Sequence, residues 1–339
     1  MSENLAIHGA EAPIRGAASG SGAAVMQIDA TALALLAAIA DAGSLTAAAR
    51  RLGCTQPALT KQLRRVEQGL GVALFERSLR GVQPTEYGAA LLPRARIVRA
   101  QVAQGVEELA QLRGRREGRI SIALSHLAVI ALLPEAMRWF RARWPAVQVR
   151  IAPPAFPDRF VGLREGAPDL AVITLPEPLG PEFQVTPLCP TTVVGVVRAG
   201  HPRAAARSLA ALADAEWVIP DPTSSTARTL FAAFERARLP PPRCPLTCET
   251  LTGLELLVGT SDLIGAMPLE VYDVRAGMTG LARLPFEIGL RGSSLALIRW
   301  ADARPTPAAA DMAEALIRAA RQFVRSRGYG RVRSSRRDG

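Results

Sequence analysis

The pattern of apolar positions predicts three short helices near the start of the chain. Apolar residues recur at helical spacing over residues 29–42. The run AGS interrupts them, and Ser44 is positioned to cap a second helix over residues 45–52. Gly53 supplies the backbone freedom that ends this helix, and the short turn GCT leads into a third.

The third helix is predicted to be amphipathic. Thr55 is its expected N-cap, and Pro57 lies in the first turn, where a missing backbone N–H has no cost. One side carries the apolar residues Leu59, Leu63, Val66 and Leu70. The opposite side carries the polar and basic residues Gln56, Thr60, Lys61 and Arg64. Such a helix buries one side and presents the other to solvent or to a ligand.

A β-hairpin and a long helix are predicted next. Residues 74–85 form a short apolar start, a charged tip and a return, as in the wing of a winged helix. Thr85 then caps a helix that runs to about residue 112. Apolar residues repeat along this helix at steps of four and three, which indicates a coiled-coil seam. The seam consists of Leu91, Ala95, Val98, Val102, Gly105, Leu109 and Leu112. An amphipathic helix packed on its own domain stays open as the alternative.

The pattern changes after the polar, glycine-containing segment RGRREGR, residues 113–119. From there, strands alternate with helices up to a last helix that begins near residue 308. This alternation predicts an open α/β sheet with helices on both sides.

Composition and charge add little to this picture. The chain of 339 residues is long enough for two or three domains. Its formal net charge of +11 favours polyanionic partners such as nucleic acid. However, Lys61 is its single lysine, and the heavy use of Ala, Arg, Pro and Gly indicates a compositional bias. The positions of the charges are therefore more informative than their sum.

Several classes of protein are disfavoured by what the sequence lacks. The four cysteines form no C-x-x-C and have no histidine nearby, which favours free thiols in a reducing cytosol over a metal or disulfide framework. No apolar run is long enough to span a membrane, and the start does not resemble a secretory signal. We therefore expect a cytoplasmic protein that has no cofactor and no metal and does not contact membranes.

Three other functions are less compatible with the sequence. An enzyme is disfavoured because G-x-S-x-G, H-E-x-x-H and P-loop motifs are absent and no G-x-G-x-x-G joins a strand to a helix. A solute-binding transport protein would need a secretory signal, which the start of the chain does not resemble. A nucleoid protein that takes no effector would have no need of a ligand-binding cleft in the α/β half predicted after residue 119.

The polar side of the third helix favours contact with DNA. Gln can bond an adenine edge, Lys can donate to guanine, and Thr can use its hydroxyl or its methyl group. The start of the helix can bind a phosphate, and the wing adds Arg77 and Arg80. A charged helix face by itself is usually only solvated surface. The three helices, the tight turn and the basic wing, in this order, favour DNA binding.

Residues 44–92 resemble the winged helix-turn-helix of the LysR-type transcriptional regulators. The resemblance rests on Ala48-Ala49, Leu52, the Thr-Gln-Pro-Ala start of the third helix, Leu63, Glu67, Leu70-Gly71, the run Leu-Phe-Glu-Arg at 74–77, and Thr-Glu-x-Gly at 85–88. It extends over roughly residues 28–325. It implies a multidomain fold: an all-α winged helix-turn-helix domain with a long linker helix, then an α/β effector domain of the two-lobed, periplasmic-binding-protein-like type 2.

The resemblance also implies domain bounds. The winged helix-turn-helix spans 28–84, the linker helix 85–113, the hinge 114–118 and the effector domain 119–325. Within the effector domain, lobe I comprises about 119–189 and 268–325 and lobe II about 190–267, with crossings near Cys189–Thr191 and Gly265–Leu269. Residues 1–27 are expected to be a flexible leader, and 326–339 a basic, disordered tail.

Residue roles follow from the same resemblance. Base contacts are expected from Gln56, Pro57, Thr60 and Lys61, phosphate contacts from Thr55 and Arg64, and wing contacts from Arg77 and Arg80. Thr replaces the more common Ser at positions 55 and 60, and Lys61 stands where Arg is frequent. Linker helices pair antiparallel between subunits, here through Leu91, Val98, Val102, Leu109 and Leu112, and dimers form a tetramer. The expected partners are double-stranded promoter DNA, a small-molecule effector (an organic acid or a sugar) and RNA polymerase.

The effector is expected at the carboxyl ends of strands. Strand ends place Ser125, His126 and Thr174 there, and the segment DPTSST adds Thr223, Ser224 and Ser225. Helix capping by these hydroxyl groups, and a structural role for His126, stay open as alternatives.

Overall fold

A computed structural model of the chain describes residues 28–78, 81–154, 163, 168–175, 178–289 and 294–327. The chain divides into two compact units between Ala90 and Leu91, within one long helix. The expected leader (1–27), Arg80 and residues 328–339 of the expected tail lie outside the described residues.

The first unit contains the three predicted helices and the predicted hairpin. Its elements are α1 (Ala30–Ala42), α2 (Leu45–Leu52), α3 (Gln56–Leu70), β1 (Phe75–Ser78), β2 (Gly81–Pro84) and the start of α4 (Glu86–Leu112). Asp29, Ser44 and Thr55 each cap a helix by accepting a hydrogen bond from the backbone N–H three residues on. The glycines Gly43, Gly53 and Gly71 end the three helices in the left-handed conformation.

The hairpin is held on the helices by backbone contacts. The N–H of Val82 donates to the carbonyl of Gly43 at 2.9 Å. A side chain at Gly81 would lie 2.5 Å from that same carbonyl oxygen, so the close approach requires glycine there. The Glu67 carboxylate accepts the N–H groups of Leu74 at 2.8 Å and Phe75 at 3.2 Å, which fixes where the first strand leaves the end of α3.

The second unit contains two five-stranded sheets. Sheet I has the strand order β4-β3-β5-β12-β6, and sheet II the order β11-β7-β10-β8-β9. The strands of sheet I are β3 (Glu117–Leu124), β4 (Ala146–Ala152), β5 (Leu170–Leu175), β6 (Phe183–Pro190) and β12 (Ser294–Trp300). Those of sheet II are β7 (Val193–Arg198), β8 (Glu216–Ile219), β9 (Arg243–Thr247), β10 (Ile264–Pro268) and β11 (Leu281–Glu287).

Helices pack on both sheets. They are α5 (His126–Ala131), α6 (Leu133–Arg143), α7 (Ser225–Arg236), α8 (Leu251–Thr260), α9 (Leu269–Thr279) and α10 (Pro307–Arg327). One apolar core contains Phe140 of α6 and Leu316 of α10 together with Val172 of sheet I. The same core contains Val196 of sheet II, so the two sheets share a buried cluster.

The strand pairing differs from the expected lobe boundaries at the second crossing. The first crossing falls between Pro190 and Val193, where lobe II was expected to begin. The second was expected near residue 268, yet β11 pairs with β7 in sheet II, and the chain re-enters sheet I only at β12. Helix α9 follows β10 and packs against α5 on the sheet I side before the chain returns to sheet II. A strand's partner depends on tertiary contacts, which the local sequence of β11 does not reveal.

The expected hinge is short and bordered by hydrogen bonds. Helix α4 ends at Leu112 and β3 begins at Glu117. Glu107 of α4 accepts the backbone N–H of Arg119 at 2.9 Å. Gln104 donates to the Asp169 carboxylate at 3.0 Å, and the second oxygen of that carboxylate accepts the N–H of Ser121 at 2.7 Å. The last turns of α4 are therefore bonded to the first strands of sheet I.

Among the described residues, no helix is long and apolar enough to cross a membrane.

Candidate DNA-contact helix and ligand cavity

Helix α3 has one buried and one exposed side. Leu59, Leu63 and Val66 are buried as the pattern predicts, whereas Leu70 is only half-buried at the end of the helix. The opposite side forms a shallow groove lined by Gln56, Pro57, Thr60, Lys61, Arg64, Arg65 and Gln68. Arg65 and Gln68 extend the set that was expected from the sequence.

Two of the threonines already form hydrogen bonds within the helix. The Thr55 hydroxyl accepts the N–H of Ala58 at 3.4 Å as the N-cap. The Thr60 hydroxyl donates to the carbonyl of Gln56 at 2.9 Å. The proton of Thr60 is thus occupied, and this side chain offers a partner its methyl group and its oxygen lone pairs.

The wing residues are less fully described. Arg77 lies in β1 and pairs with Val82 of β2 along the backbone, but its side chain is outside the described part of the chain. Arg80 lies outside the described residues altogether.

Helix α4 carries an exposed apolar stripe. Its members are Val102, Val106, Leu109 and Leu112, each more than half exposed. Of the other residues expected in the seam, Leu91, Val98 and Gly105 are half-buried. Ala95 is fully buried within its own chain and is not part of the exposed stripe. Val106 was not expected there; it lies one helical turn after Val102 and joins the same stripe.

A cavity of about 390 Å³ lies at the carboxyl ends of the parallel strands of both sheets. Strands β3, β4 and β5 lead into its wall from sheet I, and β8, β9 and β10 lead into it from sheet II. Its volume is in the usual range for small-molecule sites.

Five of the six residues expected at an effector site line this cavity. They are Ser125, His126, Thr174, Ser224 and Ser225. Thr223 does not line it, because its N–H and its hydroxyl both donate to the Asp221 carboxylate and hold it in the preceding turn. Ser125 and Ser224 are also helix caps, accepting the N–H groups of Ala128 at 3.4 Å and Ala227 at 3.1 Å. The capping role and the lining role therefore coexist at these two serines.

Among the described residues, three charged residues of the cavity wall were not expected from the sequence: Asp221, Arg228 and Glu249. Arg228 lies in the first turn of α7, and its Nε is buried without a hydrogen-bond partner among the described residues. Asp221 and Glu249 follow the ends of β8 and β9. No local motif marks these residues, since only the placement of strands and helices brings them to one cavity.

His126 contributes a polar group with little positive charge. Burial lowers the pKa of its imidazole, and the nearby Glu255 carboxylate offsets part of this effect. Glu255 itself is bound by the guanidinium of Arg275 through two hydrogen bonds. The remainder of the wall is largely apolar, with Leu124, Leu127, Ile173, Leu254, Met267 and Val271 among its members.

These features define a class of protein: a winged helix with an exposed polar helix face, followed by a two-sheet domain that holds a small-molecule cavity. Comparison with known proteins agrees with this class. Residues 30–89 match the bacterial regulatory helix-turn-helix of the lysR family, and residues 113–321 match the LysR substrate binding domain. The chain belongs to the LysR family of DNA-binding transcriptional regulators.

Individual relatives match either most of the chain or a smaller part of it. The HTH-type transcriptional regulator GbpR of Azospirillum brasilense is 28% identical over 293 residues, which are 85% of this chain and 85% of that protein. The small neutral protease regulatory protein of Streptomyces coelicolor is 38% identical over 152 residues, 40% of this chain and 47% of that protein. The solved structure of CbnR, a LysR family transcriptional regulator, is similar with a TM-score of 0.62 at 24% sequence identity. The match covers 86% of this chain and 99% of the CbnR chain. At this identity the structural likeness shows the fold.

Proposed function

We propose that the chain binds a promoter operator through the exposed face of α3 and that a small molecule in the cavity regulates this binding. Gln56, Pro57, Thr60 and Lys61 contact bases, and Thr55 and Arg64 contact phosphates. Arg77 and Arg80 contact the DNA from the wing. The observation that carries the DNA-contact assignment is the two-sided α3: Leu59 is fully buried, while Gln56, Lys61 and Arg64 on the other side are exposed.

The regulatory half of the proposal rests on the cavity. A ligand bound between two sheets changes their preferred arrangement only if it binds one arrangement more tightly than the other. In the proposed mechanism the ligand shifts the packing of subunits, and this alters the spacing and bending of the two bound half-sites. The exposed stripe on α4 joins subunits into dimers, and dimers form a homotetramer. The protein acts in the cytoplasm and affects recruitment of RNA polymerase.

The test combines footprinting with two substitutions in α3. The purified full-length protein is footprinted on the intergenic DNA beside its own gene, with and without a panel of small acids and sugars. We expect a long footprint over an interrupted palindrome that shortens or shifts with one compound. A footprint that no compound changes would contradict the regulatory half of the proposal.

Two substitutions in α3 distinguish residues that contact bases from residues that contact phosphates. Gln56→Ala should weaken binding mainly to the cognate operator, whereas Arg64→Ala should weaken binding to all sequences and reduce the salt dependence. Gln62→Ala is the matched control, because Gln62 is exposed on a different side of the same helix. Equal losses on operator and random DNA for Gln56→Ala would contradict its assignment to base contact.

A further inference from the structure

We infer that the effector is a small organic acid that also carries a hydrogen-bond donor, an amino or a hydroxyl group, away from its carboxylate. This inference rests on the proposed effector function and narrows its ligand class. Its support comes from two polar groups that have no hydrogen-bond partner among the described residues and from the distribution of charge around the cavity.

The first of these groups belongs to the guanidinium of Arg228. Its Nε is buried in the cavity wall, and no described residue accepts a hydrogen bond from it. A buried cationic donor without an acceptor is destabilising, so native proteins normally provide one. A carboxylate in the cavity would accept from Nε and from a terminal nitrogen of the same planar group.

The N-terminus of α7 adds to the positive charge that Arg228 places on its side of the cavity. Ser225 and Thr226, in the same first turn as Arg228, also line the cavity. The helix is 12 residues long. The N-terminal end of such a helix favours an anion. Ser224 already uses its hydroxyl as the cap, so the anion would be held mainly by Arg228 and by backbone N–H groups.

The second unpartnered group is the hydroxyl of Thr192. Thr192 is 8% exposed, and its Oγ1 has no hydrogen-bond partner among the described residues. It lines a narrow side pocket of about 10 Å³, which shares Thr174, Ser225, Thr226 and Pro268 with the main cavity. A space of this size holds about one oxygen atom or one water molecule. One carboxylate oxygen, or a water bound to it, would satisfy the Thr192 hydroxyl.

The other charges in the wall require a donor. Asp221 and Glu249 offer only acceptor atoms when ionised, and one Asp221 oxygen already accepts from Thr223. A second carboxylate on the ligand would be repelled here, and an unsubstituted alkyl acid would leave these acceptors without a donor. A neutral sugar would leave Arg228 without an anion. An amino acid or a hydroxy acid satisfies both ends, and the apolar wall accommodates a short carbon chain.

Binding of a matched compound series tests the inference. Butyrate, 4-hydroxybutyrate, 4-aminobutyrate, succinate and a neutral sugar are titrated into the full-length protein by calorimetry. We expect the hydroxy or the amino acid to bind about tenfold or more tightly than butyrate and succinate, since a hydrogen bond to a charged group has this effect on affinity. Comparing the affinities of the hydroxy acid and the amino acid shows which hydrogen-bond donor the cavity prefers.

Variants distinguish this inference from the proposed function. Arg228→Gln should weaken binding of the preferred acid about 10- to 100-fold, and Thr192→Val should weaken it less. Arg236→Gln, which changes an exposed arginine in the last turn of the same helix, should leave it unchanged. Tightest binding by a neutral compound or by succinate, or binding that is insensitive to Arg228→Gln, overturns the inference while effector regulation stands. No saturable binding by any compound, together with a footprint that none of them changes, overturns both.

Discussion

The side-chain oxygen of Gln111 accepts the backbone N–H of Ala308 at 2.9 Å, although 197 residues separate the two in sequence. The amide nitrogen of the same side chain donates to Glu107 at 3.0 Å, and Glu107 accepts the N–H of Arg119. Gln111 is 5% exposed, so these bonds are shielded from water. They join the end of α4 to the start of α10 and to the first strand of sheet I.

Replacing Gln111 by Ala should therefore destabilise the effector-binding half. The N–H of Ala308 would lose its acceptor in a buried position, which costs about 1–3 kcal/mol in the free energy of unfolding. The four tryptophans of the chain all lie at or after residue 139, so tryptophan fluorescence in a urea titration reports this half. Gln322→Ala, at an exposed position of α10, is the control. Equal midpoints for the two variants would show that the buried amide contributes no stability.

The hydrogen bond of Thr60 predicts which of its groups contacts DNA. Because its hydroxyl donates to the Gln56 carbonyl, the methyl group is the part free to contact a thymine methyl. Thr60→Val keeps that methyl group and should bind the operator within about threefold of the parent, whereas Thr60→Ser should lose about tenfold. Quantitative gel-shift titration measures both. Greater loss in the valine variant than in the serine variant would identify the hydroxyl as the contact instead.

The exposed stripe of α4 predicts an effect on oligomeric state. Val106 and Leu109 are 65% and 60% exposed in the isolated chain, which is unusual for adjacent apolar residues unless a partner covers them. Val106→Asp should shift the protein toward monomer in sedimentation velocity at micromolar concentration. Gln101→Asp introduces a negative charge on another side of α4 and should leave the distribution unchanged. Unchanged sedimentation of Val106→Asp would exclude this stripe from the subunit interface.

The buried Glu270 predicts a pH dependence. Burial raises the pKa of its carboxyl, and the hydrogen bond donated by Thr191 at 2.6 Å offsets part of this rise. The folded state thus holds its proton more tightly than the unfolded state. Protonation of Glu270 therefore stabilises the folded state. This stabilisation is fully present below an ordinary glutamate pKa of about 4.3, and it is lost as the pH rises through the raised pKa of Glu270 in the folded state.

Glu270→Gln should consequently gain stability relative to the parent as the pH rises from about 4.5 to 7. Urea titrations at both values measure the difference, and Glu314→Gln, at an exposed position of α10, controls for loss of a carboxylate. A stability difference for Glu270→Gln that shrinks with rising pH would have the opposite sign and would contradict the raised pKa.

Features encoded by neighbouring residues could be predicted from the sequence. Ser44 and Thr55 cap their helices, and Gly53 ends one, because these interactions involve residues only a few positions apart. The carboxyl ends of strands also indicated the cavity wall at Ser125 and Thr174.

Features that depend on distant contacts could not be predicted. Thr223 looked equivalent to its neighbours, but the hydrogen bonds from Thr223 to Asp221 keep it out of the cavity wall. Arg228 reaches the cavity only because α7 is oriented by its packing on sheet II, which no local pattern specifies. The same is true of β11, whose sequence does not indicate that it pairs with β7.

The pairing of β6 with β12 has a consequence for the order of folding. These strands are neighbours in sheet I, with Pro190 opposite Ser294, yet the chain forms all of sheet II between them. Joining them closes a loop of about 100 residues, which is entropically costly while that loop is unfolded. Prior collapse of sheet II shortens the effective loop, so we expect sheet II to become structured before β12 completes sheet I.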